Sequence, residues 1–365
     1  MKKYTWPLLI IFFLLGGLAM ILIGQVALPP EPRPESVVAI SDKWADSGHA
    51  DAESLSFSLW DDRDPAVIPV ACAQCHSAFG YLDYLGEDGS EANTVSDSHP
   101  VGSVVSCYVC HNPSAHARDI TIFPSGAEIE GQGWSSNCAE CHAGRRHSGF
   151  VENAIAALPE DEVNEELGFI NVHYLVGGAV RFGSEVSVGY EYPGKEYVGF
   201  YEHVPDYQRC TDCHDAHSLA ITPSECAACH PVVSTLADLR DIRMDTTQDF
   251  DGDGDTREGI FHELMGVHHL LYEAIQTYAE EVIGQPIRYA ARSPNWFIDN
   301  NDTEDPIPYD NWTPRLVKAT YNYHLVVVDP GGFMHNARYL IQVMYDTLED
   351  LGTVVTVDMD QLIRP

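Results

Sequence analysis

Between Arg257 and Ile283 the apolar residues Ile260, Leu264, Val267, Leu271, Ile275 and Tyr278 recur every three or four positions. That spacing returns to one side of an α-helix, so it predicts a long helix with a single buried face. Trp312 to Val328 and Ala337 to Leu351 read as two further helices, the last ended by Gly352. Upstream the pattern is different. From about Ser36 to Pro231 the apolar runs are short and broken by Gly, Pro, Asp and Ser, which predicts short elements and irregular chain. One alternating pair, Val188-Gly189-Tyr190-Glu191-Tyr192 and Tyr197-Val198-Gly199-Phe200 around Pro193-Gly194-Lys195, predicts a β-hairpin.

The N-terminus carries a third pattern. Lys2 and Lys3 precede an uncharged apolar run from Pro7 to about Ile23, and a proline-rich stretch, Pro29 to Pro34, follows. This is an export signal. The run is near the ~20 residues that span a bilayer and no clear small-residue cleavage site follows it, which favours an uncleaved anchor over a removed signal peptide. Two lysines before the run and acid after it place the remainder of the chain outside the cytoplasm. The expected organisation is an anchor or signal segment over 1–27, a proline-rich spacer over 28–40, a cysteine-bearing domain over 41–231 and a helical, cysteine-free segment over 232–365.

Charge narrows the partners. Fifty-five acidic residues against 20 basic ones give a formal charge of −35, which argues against nucleic acid and suits basic proteins or metal cations. The same acid also keeps a crowded protein soluble.

All ten cysteines fall into five copies of one pentapeptide. The copies are Cys72-Ala73-Gln74-Cys75-His76, Cys107-Tyr108-Val109-Cys110-His111, Cys138-Ala139-Glu140-Cys141-His142, Cys210-Thr211-Asp212-Cys213-His214 and Cys226-Ala227-Ala228-Cys229-His230. Two thiols at this spacing add to the two vinyl groups of one haem, and the histidine that follows lies under the iron as its proximal ligand. Zinc sites and disulfides also use paired cysteines, but neither requires a histidine directly after the second cysteine in every copy. Five c-type haems are therefore expected. The fold class that follows is mainly α and irregular: a haem-filled core, a short β-hairpin, and C-terminal helices packed on the haem domain.

Five of the 17 histidines are proximal, leaving 12 to supply the opposite side of the irons. His49, His173, His203, His217 and His335 are the expected distal ligands. His217 stands too close to His214 to reach the far face of its own haem, so it is expected to serve a neighbour such as the one at Cys226 and Cys229. His335 follows Gly331-Gly332-Phe333-Met334, where a helix start after a glycine turn can hold a ring rigidly. His99, His116, His147, His268 and His269 are reserves, and Met244, Met265, Met334 and Met344 are the thioether alternatives. Arg145 and Arg146, just after the third motif, either pair with haem propionates or stand in solvent.

Asp249-Phe250-Asp251-Gly252-Asp253-Gly254 begins like an EF-hand calcium loop. Position twelve is Ile260, so Glu258 or Glu263 has to complete the shell. The calcium ligands expected are Asp249, Asp251, Asp253 and Glu258, and the alternative is a solvated acidic turn capping the next helix.

The segments Asp46-Ser47-Gly48-His49-Ala50-Asp51, Asn171-Val172-His173-Tyr174, Gly189-Tyr190-Glu191-Tyr192, Cys213-His214-Asp215-Ala216-His217-Ser218-Leu219 and Asp329-Pro330-Gly331-Gly332-Phe333-Met334-His335-Asn336, with the five motifs, resemble exported multihaem c-type cytochromes of respiring bacteria. The resemblance implies an electron carrier with mostly bis-histidine haems, passing current between a membrane or periplasmic donor and an extracytoplasmic acceptor. It implies redox protein partners and leaves periplasm, cell surface, homo-oligomer and filament open. The alternative is a reductase of nitrite, hydroxylamine or a sulfur oxyanion. Ammonia-forming nitrite reductases also carry five haems, but their catalytic haem has lysine in place of the motif histidine, and here all five copies end in His.

Overall fold

The computed structural model describes residues 35–205, 207–243, 246–300 and 305–365. The expected N-terminal anchor and most of the spacer lie outside them, as does Met244. Among the described residues no helix is long and apolar enough to cross a membrane. The spacer ends sooner than expected, because a helix occupies Val37–Ala45, its first turn closed by the Ser36 hydroxyl accepting from the Ala39 N–H.

The longest regular elements are the three C-terminal helices, Ile260–Tyr278, Pro314–Val327 and Gly332–Leu351, which pack against one another. In the first, the six periodic residues Ile260, Leu264, Val267, Leu271, Ile275 and Tyr278 are all buried. A π-helical turn, Ala279–Ile283, extends it to Gly284, whose φ of 80° reverses the chain in a conformation open to glycine. The second helix starts at Thr313, whose hydroxyl accepts from the Leu316 N–H, with Pro314 in the first turn where its missing donor is harmless. It is buried from Pro314 to Val326, including its polar residues. The third is kinked at Asn336, whose side-chain amide donates to the Gly199 carbonyl at 2.9 Å.

Residues 35–231 form short helices, mostly of four to nine residues, joined by irregular chain. Two antiparallel ladders lie among them, Val67–Ile68 with His99–Pro100 and Ile120–Ile122 with Glu128–Glu130, and a third, Ile287–Tyr289 with Trp296–Ile298, flanks the C-terminal helices. The hairpin expected over 188–200 does not form a ladder. The Gly189 N–H donates to the Tyr339 hydroxyl, and Asn322 takes both backbone groups of Tyr190, so helical side chains use the hydrogen bonds a partner strand would have made.

The buried core is continuous across the boundary expected at 231. Val172, Val176, Val180, Phe182 and Val188 share one cluster with Leu316, Leu325, Tyr339 and Leu340. The C-terminal helices are thus packed onto the cysteine-bearing part of the chain.

Candidate haem sites

Each attachment motif lies in or at the end of a helical turn, and that turn explains its spacing: residues three apart lie on one face. In four motifs the histidine N–H bonds the first cysteine's carbonyl, at 2.9 Å for His111, 3.0 Å for His142, 2.9 Å for His214 and 2.8 Å for His230. None of the ten cysteines is joined to another by a disulfide.

Every motif histidine faces one other imidazole across a gap. The ring centroids stand 5.8 Å apart for His76 and His173, 6.2 Å for His111 and His217, 6.4 Å for His142 and His49, 6.5 Å for His214 and His335, and 6.3 Å for His230 and His203. Rings in direct contact are closer: His268 stacks on Tyr323 at 4.1 Å. Two imidazoles bound to opposite sides of one metal, each with a metal–nitrogen bond of about 2 Å, place their centroids about 6 Å apart. The five gaps therefore fit a haem iron between the rings.

Several rings are oriented by a bond to Nδ1, which leaves Nε2 for a metal. His76 Nδ1 lies 2.6 Å from the Ser56 carbonyl, His142 Nδ1 2.7 Å from that of Leu175, and His214 Nδ1 3.2 Å from that of Leu219. His335 Nδ1 lies 2.8 Å from both carboxylate oxygens of Asp329. Burial, then the facing His142, lowers the pKa of His49 to about 4, and burial, then His76, does the same for His173. Both are thus neutral, the form that ligates. Burial also pulls His335 down, but the Asp329 carboxylate outweighs it and the net shift is upward.

Local backbone accounts for some of the placement. His173 has a φ of 94°, a left-handed conformation that costs an ordinary residue about 1–3 kcal/mol, and the Asn171 side chain holds it by accepting from its N–H at 2.7 Å. His217, expected beside the haem of Cys226 and Cys229, instead faces His111, while His203 faces His230. The reason is the turn around Asp215. Its carboxylate accepts from the His217 and Ser218 N–H groups and pairs with Lys43 at 3.0 Å, tying His217 to the N-terminal helix.

The reserve histidines have other contacts. His99 pairs with Asp83 at 3.1 Å, His116 lies edge-on to Trp134, His268 stacks on Tyr323 and His269 reaches Glu273 at 3.4 Å. His147 caps the Ser148–Ile155 helix without a side-chain bond. Arg146 lies over the Phe150 ring at 4.1 Å, and Arg145 Nη1 is 3.7 Å from Cys72 Sγ.

Neighbouring motifs touch. Gln74 of the first donates to the Glu140 carbonyl of the third at 3.3 Å and to its carboxylate at 3.1 Å, and Cys75 Sγ lies 3.7 Å from the same carbonyl. Glu140, 3% exposed, is further held by Arg118 and by the Tyr84 hydroxyl at 2.9 Å. The Cys210 N–H of the fourth motif donates to Ser135 on the third motif's helix at 3.1 Å. Glu140, Arg118 and Asp329 were given no role in the sequence, although Glu140 lies inside the third motif and Asp329 opens the last resembling segment.

In the acidic loop, ligand oxygens of Asp249, Asp251 and Asp253 lie within 4.8 Å of one another, as do those of Asp251, Glu258 and Glu263. Asp249 accepts from the Gly252 and Gly254 N–H groups, each at 2.7 Å, and Glu263 accepts from the Phe250 N–H at 2.6 Å. Both Glu258 and Glu263 thus reach the loop. Arg243 pairs with Glu263 at 2.6 Å. Burial, then neighbouring carboxylates, raises Asp251 to about 6 and Glu258 to about 7, although backbone bonding from Asp253 pulls Asp251 the other way.

Comparison with known proteins follows the same lines. The chain is 24% identical to the C-type polyheme cytochrome OmcC of Geobacter sulfurreducens over 80% of its length, and 25% identical to the C-type polyheme cytochrome OmcB of that organism over 76%. It spans 43% of the length of each relative. No family model matches the chain, and no solved structure does. With its five C-x-x-C-H motifs, the chain is similar to multihaem c-type cytochromes.

Proposed function

We propose that this chain is an electron-transfer cytochrome with five haems, each held between two imidazoles: His76 with His173, His111 with His217, His142 with His49, His214 with His335, and His230 with His203. The observation that carries this reading is the set of five facing pairs, each joining one motif histidine to one histidine from elsewhere. Haem, when bound, supplies a one-electron couple at each site. Two imidazoles per iron leave no position for a substrate, which favours electron carriage over the reductase alternative. A reductase needs one motif histidine without a facing ring, and all five have one. Contacts between the first and third motifs, and between the third and fourth, support a continuous series of carriers.

The route runs from a membrane or periplasmic donor to an extracytoplasmic acceptor, and the apolar N-terminal run with its preceding lysines supports export and anchoring. A surface carrying a large excess of acid favours basic redox partners. The acidic loop is read as a calcium site of Asp249, Asp251, Asp253, Glu258 and Glu263. Two overlapping sets of carboxylate oxygens, opposed at Glu263 by Arg243, suit a hard divalent cation.

The test uses holoprotein matured in a host with c-haem assembly machinery. Mass spectrometry is expected to find five haem additions, and carbon monoxide is expected to leave the reduced spectrum unchanged at native pH. Fewer than five haems sinks the count, and a carbon monoxide complex at one haem returns the reductase reading.

A further inference from the structure

Among the described residues, four of the ten facing imidazoles have a hydrogen-bond partner at Nδ1; three are backbone carbonyls, and that of His335 is a carboxylate. Asp329 is 4% exposed and turns both oxygens to that nitrogen at 2.8 Å. The ring has little freedom to leave it. A Cβ added at Gly177 would lie 2.5 Å from His335 Cε1, and one at Gly331 would lie 2.8 Å from the same atom, so two glycines form a slot closed on the imidazole. Across the gap, His214 donates from Nδ1 to the Leu219 carbonyl. Arg181 is the nearby opposing charge, and it acts on Cys210 and His335 together.

We propose that Asp329 is a positioning residue that makes the fourth haem, attached at Cys210 and Cys213, the most electron-rich of the five by drawing the Nδ1 proton of His335 toward its carboxylate. A buried anion on the ligand's outer nitrogen increases the negative character of the ring, which stabilises ferric over ferrous iron and lowers the potential. A backbone carbonyl does the same more weakly because it carries no net charge. The fourth haem is therefore a low step in the series. It receives electrons reluctantly and passes them on readily, which gives the five haems unequal potentials. This rests on the reading of His335 as a ligand.

The experiment is a spectroelectrochemical titration of the five-haem protein in four forms: unaltered, Asp329→Asn, Asp329→Glu and His335→Met. Asn keeps the shape and an accepting oxygen while removing the charge. Asp329→Asn is expected to raise one couple of the five by at least about 59 mV, a tenfold change in its oxidised-to-reduced ratio. Asp329→Glu is expected to return that couple toward its original value, and low-temperature EPR is expected to keep that haem low-spin with altered g-values. If His335→Met moves one couple and Asp329→Asn moves none, or moves all five alike, the proposal for Asp329 is overturned while the ligand reading stands. If His335→Met moves nothing, the ligand reading itself has failed.

Discussion

A single imidazole can serve as a ligand only if its surroundings aim it, and the rings of His335 and His173 are held in two different ways. His335 is clamped by the absence of side chains at Gly177 and Gly331. Gly177→Ala is therefore expected to push the ring off its axis and leave one haem of five high-spin, seen as a new high-spin EPR signal and as carbon monoxide binding at that haem alone. His173 is held instead by a strained backbone and the Asn171 cap, with a φ of 94°. Asn171→Ala is expected to weaken the cap by about 1 kcal/mol and to loosen the ligand facing His76. The candidate distal histidines were legible as residues near glycine turns or attachment motifs. The glycine slot and the Asp329 carboxylate were not, because both depend on segments that meet only after folding.

At the level of elements, the long helix Ile260–Tyr278 was readable because only one of its faces meets the core, so its pattern survives in the sequence. The helix Pro314–Val327 is surrounded, and it buries Arg315 and Lys318 against Asp161, Glu160 and Asp350. Arg315→Met is expected to destabilise the protein by about 2–4 kcal/mol in denaturant unfolding. The effect falls below that of a fully buried pair because the Asp161 side chain is 35% exposed. In the cysteine-bearing half, the loop after the Ala78–Tyr84 helix is pinned by Asp83, 1% exposed, which accepts from the Ser96 N–H at 2.8 Å and faces His99 at 3.1 Å. Burial works to raise the Asp83 pKa, but hydrogen bonds from Ser90, Ser96 and His99 outweigh it and hold the carboxyl below its ordinary range. Its contribution is therefore present above the unfolded value near pH 4 and lost as pH falls toward the folded one. Asp83→Asn is expected to cost about 2 kcal/mol at pH 7, with the difference from the unaltered protein closing in melts below pH 4.

Over the whole molecule, the continuous core makes the C-terminal helices one packed unit with the cysteine-bearing part of the chain. Ending the chain at residue 231 would remove His335 and uncover Val172, Val176 and Val180 together. The acidic loop belongs to the same scale, because it bonds Glu263 of the long helix on one side and meets Gln361 and Ile363 on the other. Adding calcium to the chelator-treated protein is expected to raise the melting temperature, and Asp251→Asn is expected to abolish the increase. A melting curve indifferent to calcium leaves the loop as an acidic turn.

The five C-x-x-C-H motifs and their histidines were legible in the sequence alone, because two cysteines and the histidine beside them occupy only five consecutive residues. Which other imidazole each motif histidine faces was decided by the tertiary structure. His49 stands nearest the first motif along the chain yet faces His142 of the third, and His217 lies three residues from His214 yet faces His111. A ligand on the far side of a haem is supplied by whatever segment the folded chain brings back across a gap of about 6 Å, and that return is set by long-range packing.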